Sequence, residues 1–221
     1  MGGEHFFPQV LFKLGPVEVT STVLYSLLAS AVLIVIAVLV RQGLRRWSGW
    51  AVAVEFLVEH LEGVMKDMSG GNPRPYMPLV VTLALFIGTA NLMGLVPGLH
   101  AATADFATTA ALAVLVFLAV PFYGIRARGL RGYLRHYLEP SPLLLPLEIV
   151  SELSRTLALA VRLFGNVMSE ELVLAVLLLI AGLLLPVPIM LLAVLTGVVQ
   201  AYIFAVLTMV YLSAAVRAQA K

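Results

Sequence analysis

A charged residue near the middle of an apolar helix dominates the chemistry of this sequence. Arg162 lies in the segment LALAVRLFGNVM, residues 157–168. A guanidinium group keeps its charge in proteins, and an arginine at the centre of a membrane helix costs about 3 kcal/mol on insertion scales. Because ionisable residues at membrane depth mark ion or substrate pathways, we expect Arg162 to be functional.

Helical geometry places neighbouring polar residues on defined faces. At 100° per residue, Glu148, Arg155 and Arg162 lie within about 40° of one line, and Asn166 continues that line by one turn. Glu171 falls on roughly the opposite face. Arg162 has no carboxylate three or four residues away, so its partner is expected on another helix or another subunit.

The carboxylates of this segment have two possible roles. Either Glu148 or Glu152 could form a structural ion pair with Arg155. Glu170 shares a helical line with Glu152, and the adjacent acids Glu170 and Glu171 could exchange protons if water reaches them. In the last apolar segment, a polar line could form interhelical hydrogen bonds or line a water path; its members are Thr196, Gln200, Thr208 and Tyr211.

The composition predicts an all-α polytopic membrane protein. Hydrophobic residues make up 61% of the chain, charged residues 12%, and the mean hydropathy is +1.02. The net charge of +2 comes from arginine clusters beside apolar segments, so no nucleic-acid partner is expected. The chain has no cysteine, and we expect no cofactor and no metal. The N-terminal residues show no pattern of a cleaved signal.

Charge-free runs predict about five transmembrane helices in a single membrane domain, residues 1–221. The predicted spans are 19–42, 77–96, 106–125, 141–183 and 187–216. Residues 47–68 predict an amphipathic helix in the cytoplasmic interface, with Glu55, Glu59, Glu62 and Lys66 on one side. A solvated connector is the weaker alternative.

Arginine clusters predict the orientation in the membrane. They follow the first, third and fifth spans and comprise Arg41, Arg45, Arg46, Arg126, Arg128, Arg131, Arg135 and Arg217, with Lys221. The positive-inside rule makes these loops cytoplasmic, with the N-terminus outside and the C-terminus inside. Eleven arginines against three lysines, without a targeting segment, favour a bacterial plasma membrane.

Several short sequence motifs, in the same order and spacing as in the family, resemble subunit a of F-type ATP synthases over about residues 47–213. They are RLFGN at 162–166, EL at 171–172, QAYIF at 200–204, YLS at 211–213, NLMGLVPG at 91–98 and TAD at 103–105. The resemblance implies a non-catalytic, ion-translocating stator subunit. Its implied partners are a ring of c subunits, b-type peripheral stalk subunits and the rest of the complex, with the last two helices forming a long tilted hairpin against the ring.

The resemblance also implies roles for particular residues. Arg162 matches the essential arginine that attracts the deprotonated ring carboxylate and prevents a proton leak between two offset half-channels. Glu171 matches the periplasmic half-channel acid, Asn166 and Gln200 match polar residues flanking the arginine, and Glu148 matches an acid toward the cytoplasmic exit. Asp105 is expected near the periplasmic mouth.

Two positions depart from the common pattern. Where many members carry His or Glu seven residues before the glutamine, this chain has Ala193, and before Glu171 it has Glu170 instead of the frequent glycine. The acidic pair resembles the chloroplast and cyanobacterial branch. We expect Glu170 to act as the second relay group.

The same residues also allow other functional classes. A stand-alone ion or anion transporter using Arg162 as a binding residue is the alternative, and co-purification with a c-ring would discriminate between the two. An intramembrane hydrolase is disfavoured because His5, His60, His100 and His136 all fall in tails, loops or interfaces. Whether protons or sodium ions move is left open.

Overall fold

The computed structural model describes residues 10–14, 17–41, 48–69, 75–96, 99–138, 145–181 and 186–217. These ranges hold two strands, β1 Val10–Leu14 and β2 Val17–Thr20, and the helices α1 Ser21–Arg41, α2 Ser48–Ser69, α3 Met77–Met93, α4 Phe106–Leu138, α5 Leu145–Ala181 and α6 Pro186–Arg217. A 3₁₀ turn, Ala102–Ala104, precedes α4. The predicted polytopic helical fold is confirmed.

The N-terminal hairpin departs from the all-helical expectation. Strands β1 and β2 pair antiparallel, with Val10 opposite Thr20 and Leu14 opposite Val17. The segment VEVT is rich in β-branched residues, which favour extended backbone. The first membrane helix therefore begins at Ser21 rather than at residue 19.

Four helices, α1, α4, α5 and α6, are long and apolar enough to cross a bilayer. Helix α3 has 17 residues, about 25 Å at 1.5 Å per residue, which is near the lower limit for a span. Residues 94–96, predicted to continue this span, form a turn in which Gly94 N–H bonds to Asn91 O at 3.2 Å. Predicted residues 42, 47, 141–144 and 182–183 lie outside the described ranges.

Helix α4 corrects the prediction of a loop after residue 125. The helix continues to Leu138 and is sharply kinked at Gly129, whose φ of 74° suits a residue without a side chain. The kink brings the buried Tyr133 ring against Gly124, where a Cβ atom would lie 2.6 Å from Tyr133 Cε2. The arginines at 126, 128, 131 and 135 therefore lie on helical backbone.

Helix α6 lies at the centre of the fold, in contact with α2, α3, α4 and α5. Its side chains Phe204, Met209 and Leu212 are fully buried. The predicted interfacial helix α2 packs onto this core through Leu61, which is also fully buried. The outward faces of α1, α5 and α6 are rich in exposed leucine, isoleucine and valine, the surface that lipid or a membrane partner would cover.

Candidate functional site

The charged residues of the site lie on α5, the longest described helix. Its 37 residues span about 55 Å, well beyond the roughly 30 Å of a bilayer core, a length that the tilt expected from the family resemblance would accommodate. One face packs inward through Leu159, Leu163 and Val167. Arg162 lies on the exposed side of the helix.

Arg162 is a cation without a partner in the described part of the chain. No hydrogen bond or ion pair joins it to any residue in those ranges. One turn further along the same line, Asn166 Nδ2 donates to Gln200 Oε1 at 2.8 Å. Gln200 is 3% exposed. The bond joins α5 to α6 one helical turn along α5 from Arg162.

A first cavity, the Arg155 cleft, opens between α4, α5 and α6. Its polar lining residues are Tyr133, Glu148, Glu152, Arg155, Thr156 and Tyr211. The guanidinium carbon of Arg155 lies 6.0 Å from the centroid of the Tyr211 ring, within cation–π range. Arg155 shares this cleft with both Glu148 and Glu152. The structural ion pair considered from the sequence stays a prediction.

A second cavity, the Glu170 cleft, opens on the other side of Arg162 along α5. It is lined by Asn91, Gly94, Leu95, Ala101, Val167, Glu170, Glu171, Leu174, Ile189 and Ala193. Glu170 Oε1 accepts a hydrogen bond from Thr196 Oγ1 of α6. Ala193, one turn before Thr196 on α6, lines the cleft together with Glu170, and its small side chain leaves room there for the carboxylate.

Glu171 points toward the segment between α3 and α4. Its Oε1 accepts the backbone N–H of Ala101 at 2.9 Å, and its Oε2 lies 3.6 Å from His100 Nδ1. Sequence reasoning assigned His100 to a loop and gave it no role. Since it lies 71 residues from Glu171, helical spacing could not reveal the contact; the only signal was a histidine between the NLMGLVPG and TAD strings.

Asn91 holds the wall of the Glu170 cleft together. Its Nδ2 donates to Gly197 O at 3.1 Å, and its Oδ1 accepts from Thr103 Oγ1. Asn91 and Thr103 are both buried. The bonds therefore tie α3, the 3₁₀ turn and α6 together; the sequence had marked Asn91 only as part of a string.

Asp105 has a structural contact at the start of α4. Its Oδ1 accepts the backbone N–H of Ala107 at 2.9 Å, which satisfies a free donor in the first turn. It is not among the residues that line the Glu170 cleft. Its expected place near a channel mouth stays a prediction.

Comparison with known proteins gives a consistent result. The family model described as ATP synthase A chain matches residues 23–213. Similar proteins include ATP synthase subunit a 2 of Pelobacter propionicus, 47% identical over 95% of this chain and 92% of the relative. Subunit a 2 of Picosynechococcus sp. is 45% identical over 93% and 89%, and subunit a of Legionella pneumophila strain Paris is 39% identical over 99% and 96%.

Proposed function

This chain belongs to the ATP synthase A chain family, and on that premise we propose how its residues carry protons. Membership of this family identifies the chain as a stator subunit of an F-type ATP synthase and as a multi-pass protein of a bacterial membrane. It disfavours the alternative of a stand-alone transporter. Its own part in the reaction is ion translocation without catalysis. The observation that carries the proposal is the unpaired, outward-facing Arg162 between two polar clefts.

The two clefts act as the inner ends of two offset half-channels. Glu152 and Glu170, one in each cleft, are eighteen residues apart, about 27 Å along α5. Arg162 lies between them. A proton crossing from one cleft to the other must therefore leave this subunit and travel on a carrier, because a guanidinium does not release its own proton.

That carrier is a carboxylate on a ring of c subunits packed against the exposed faces of α5 and α6. Arg162 stabilises the charged carboxylate as it passes, since an opposite charge nearby favours ionisation in apolar surroundings. Moving each proton across about 100 mV supplies roughly 2.3 kcal/mol for rotation. The b-type peripheral stalk holds the subunit still against that torque.

Five further residues complete the path. Glu171 and Glu170 exchange protons in one cleft, with Glu170 in place of the titratable group missing at Ala193. Asn166 and Gln200 hold α5 and α6 together beside the arginine, and Glu148 receives protons at the opposite cleft. The contacts of Glu170 with Thr196 and of Asn166 with Gln200 support these roles.

The subunit lies in the bacterial inner membrane with its N-terminus outside and its C-terminus in the cytoplasm. The arginine-rich segments after α1 and within α4 support this orientation. The Glu170 cleft then opens to the periplasm and the Arg155 cleft to the cytoplasm.

The test is ATP-driven proton pumping by the reconstituted complex carrying Arg162→Ala. Coupled pumping should be lost, because nothing then stabilises the ionised ring carboxylate at the interface. Arg126→Ala, which removes an exposed arginine of α4, is the matched control and should pump normally. Pumping by Arg162→Ala at the control rate would refute the proposal.

A further inference from the structure

His100 lies between open surface and the half-buried carboxylate of Glu171. The His100 side chain is 45% exposed and that of Glu171 21%, with Nδ1 of the imidazole 3.6 Å from Glu171 Oε2. The other carboxylate oxygen is already held by the backbone N–H of Ala101. The loop thus fixes one oxygen of Glu171 and leaves the other facing an imidazole.

We propose that His100 is the proton port of the Glu170 cleft, passing protons between bulk water and Glu171. This inference rests on the function proposed above. An imidazole exchanges protons readily near neutral pH, and its two nitrogens allow it to bind a proton at one and release it at the other. In the inward step the Nδ1–H bond breaks, an O–H bond forms at Glu171 Oε2, and the imidazolium returns to the neutral imidazole.

The geometry suits transfer rather than a permanent ion pair. A separation of 3.6 Å exceeds a direct hydrogen bond, so a small rotation or one bridging water completes the link. A looser contact lets Glu171 pass the proton onward to the cleft, whereas a tight pair would hold it. The exposed fraction of His100 keeps the port open to water.

The other titratable groups around this site have contacts of their own or no reach. Tyr25 of α1 lies with its ring centroid 6.2 Å from that of His100. Glu170, on the same cavity wall as Glu171, bonds to Thr196, and Asp105 caps α4. Among the described residues, Glu171 is therefore the carboxylate that His100 can serve.

The experiment measures ATP synthesis driven by an imposed proton gradient in the reconstituted complex. His100→Ala and His100→Gln should both lower the rate, by about tenfold or more, since positioned proton-transfer groups typically contribute 10²–10⁴-fold. Imidazole added on the periplasmic side should restore part of the His100→Ala rate. The matched control is His60→Gln, at a histidine that contacts Tyr202 at 3.1 Å away from this cleft; imidazole should leave its rate unchanged.

The outcomes separate this inference from the proposed function. A normal rate in His100→Ala, a normal rate in His100→Gln, or a loss that imidazole does not restore would each overturn the proton port. Arg162→Ala is measured in parallel. If it abolishes synthesis while His100→Ala does not, only the port is wrong; if it retains coupled synthesis, the function proposed above is itself wrong.

Discussion

Single residues in this chain differ in whether their charge is matched. Glu171 and Glu170 each accept a hydrogen bond, from Ala101 N–H and Thr196 Oγ1 respectively. Arg162, by contrast, faces outward without a partner in the described ranges. An unpaired cation at membrane depth is expensive, and the proposed ring carboxylate would supply the missing counter-charge.

The role of Glu170 can be tested by moving its carboxyl group across the cleft. Glu170→Ala should lower ATP-driven proton pumping by roughly tenfold or more, because the cleft loses its second proton-exchanging group. Adding Ala193→Glu should restore part of the rate, since residue 193 lines the same cavity from α6. Proton pumping followed with a pH-sensitive dye measures both.

Two controls sharpen this result. Glu170→Asp keeps a carboxylate and should pump better than Glu170→Ala, whereas Ala193→Glu alone tests whether a third acid is tolerated. Unchanged pumping in Glu170→Ala would show that Glu171 works without a second acid.

At the scale of elements, the site depends on how closely α6 approaches α3. Gly197 of α6 faces Asn91 of α3 so closely that an added Cβ would lie 3.1 Å from Asn91 Cβ. The same approach allows the Asn91 Nδ2 bond to Gly197 O. Helix α6 also carries Thr196 and Gln200, which bond to Glu170 and Asn166 of α5. The contact at Gly197 therefore helps to fix the position of α6 along α5 at which these bonds form.

Gly197→Val should therefore destabilise the subunit, by about 1–3 kcal/mol for an overpacked helix contact. The amount of assembled complex in the membrane and its thermal stability in detergent measure the effect. Gly63→Val on α2 is the matched control, since nothing lies within 4 Å of a Cβ at that position. Equal assembly of the two variants would mean that α3 and α6 can move apart at residue 197 without a loss of stability.

At the scale of the whole molecule, the orientation of the helices in the membrane determines which side each cleft faces. Four helices meet the length for crossing and α3 is shorter, so the side on which the α3–α4 segment emerges depends on whether α3 crosses. Both proposed half-channels follow from that choice, because the Glu170 cleft is built against this segment.

Cysteine labelling tests the orientation cleanly, because the sequence contains no cysteine of its own. In intact spheroplasts, Gly2→Cys and Ala107→Cys should react with a membrane-impermeant maleimide. Lys221→Cys should react only after the membrane is permeabilised. Labelling of Gly2→Cys and Ala107→Cys from opposite sides would show that α3 does not cross.

The amino-acid sequence by itself determined the helices and the charged stripe of α5. The presence and order of the helices and the line of polar residues through Arg162 follow from hydrophobic and 3.6-residue periodicity, which are properties of neighbouring residues. The α4 kink was missed because hydrophobic periodicity carries no signal for the positive φ at Gly129 or for the contact between Tyr133 and Gly124 that accompanies it. The β1–β2 hairpin was missed because a short extended pair has little periodic signal.

Only the tertiary structure decided which polar groups meet. The acids of α5 were known to lie on different faces, but their partners Thr196, His100 and Ala101 come from elements distant in sequence. These contacts depend on the rotation of α6 about its axis and on the path of the α3–α4 segment. Both are set by packing between elements, for example by the bond between Asn91 and Gly197. Local sequence rules place a side chain on a face, and packing between elements then determines what that face touches.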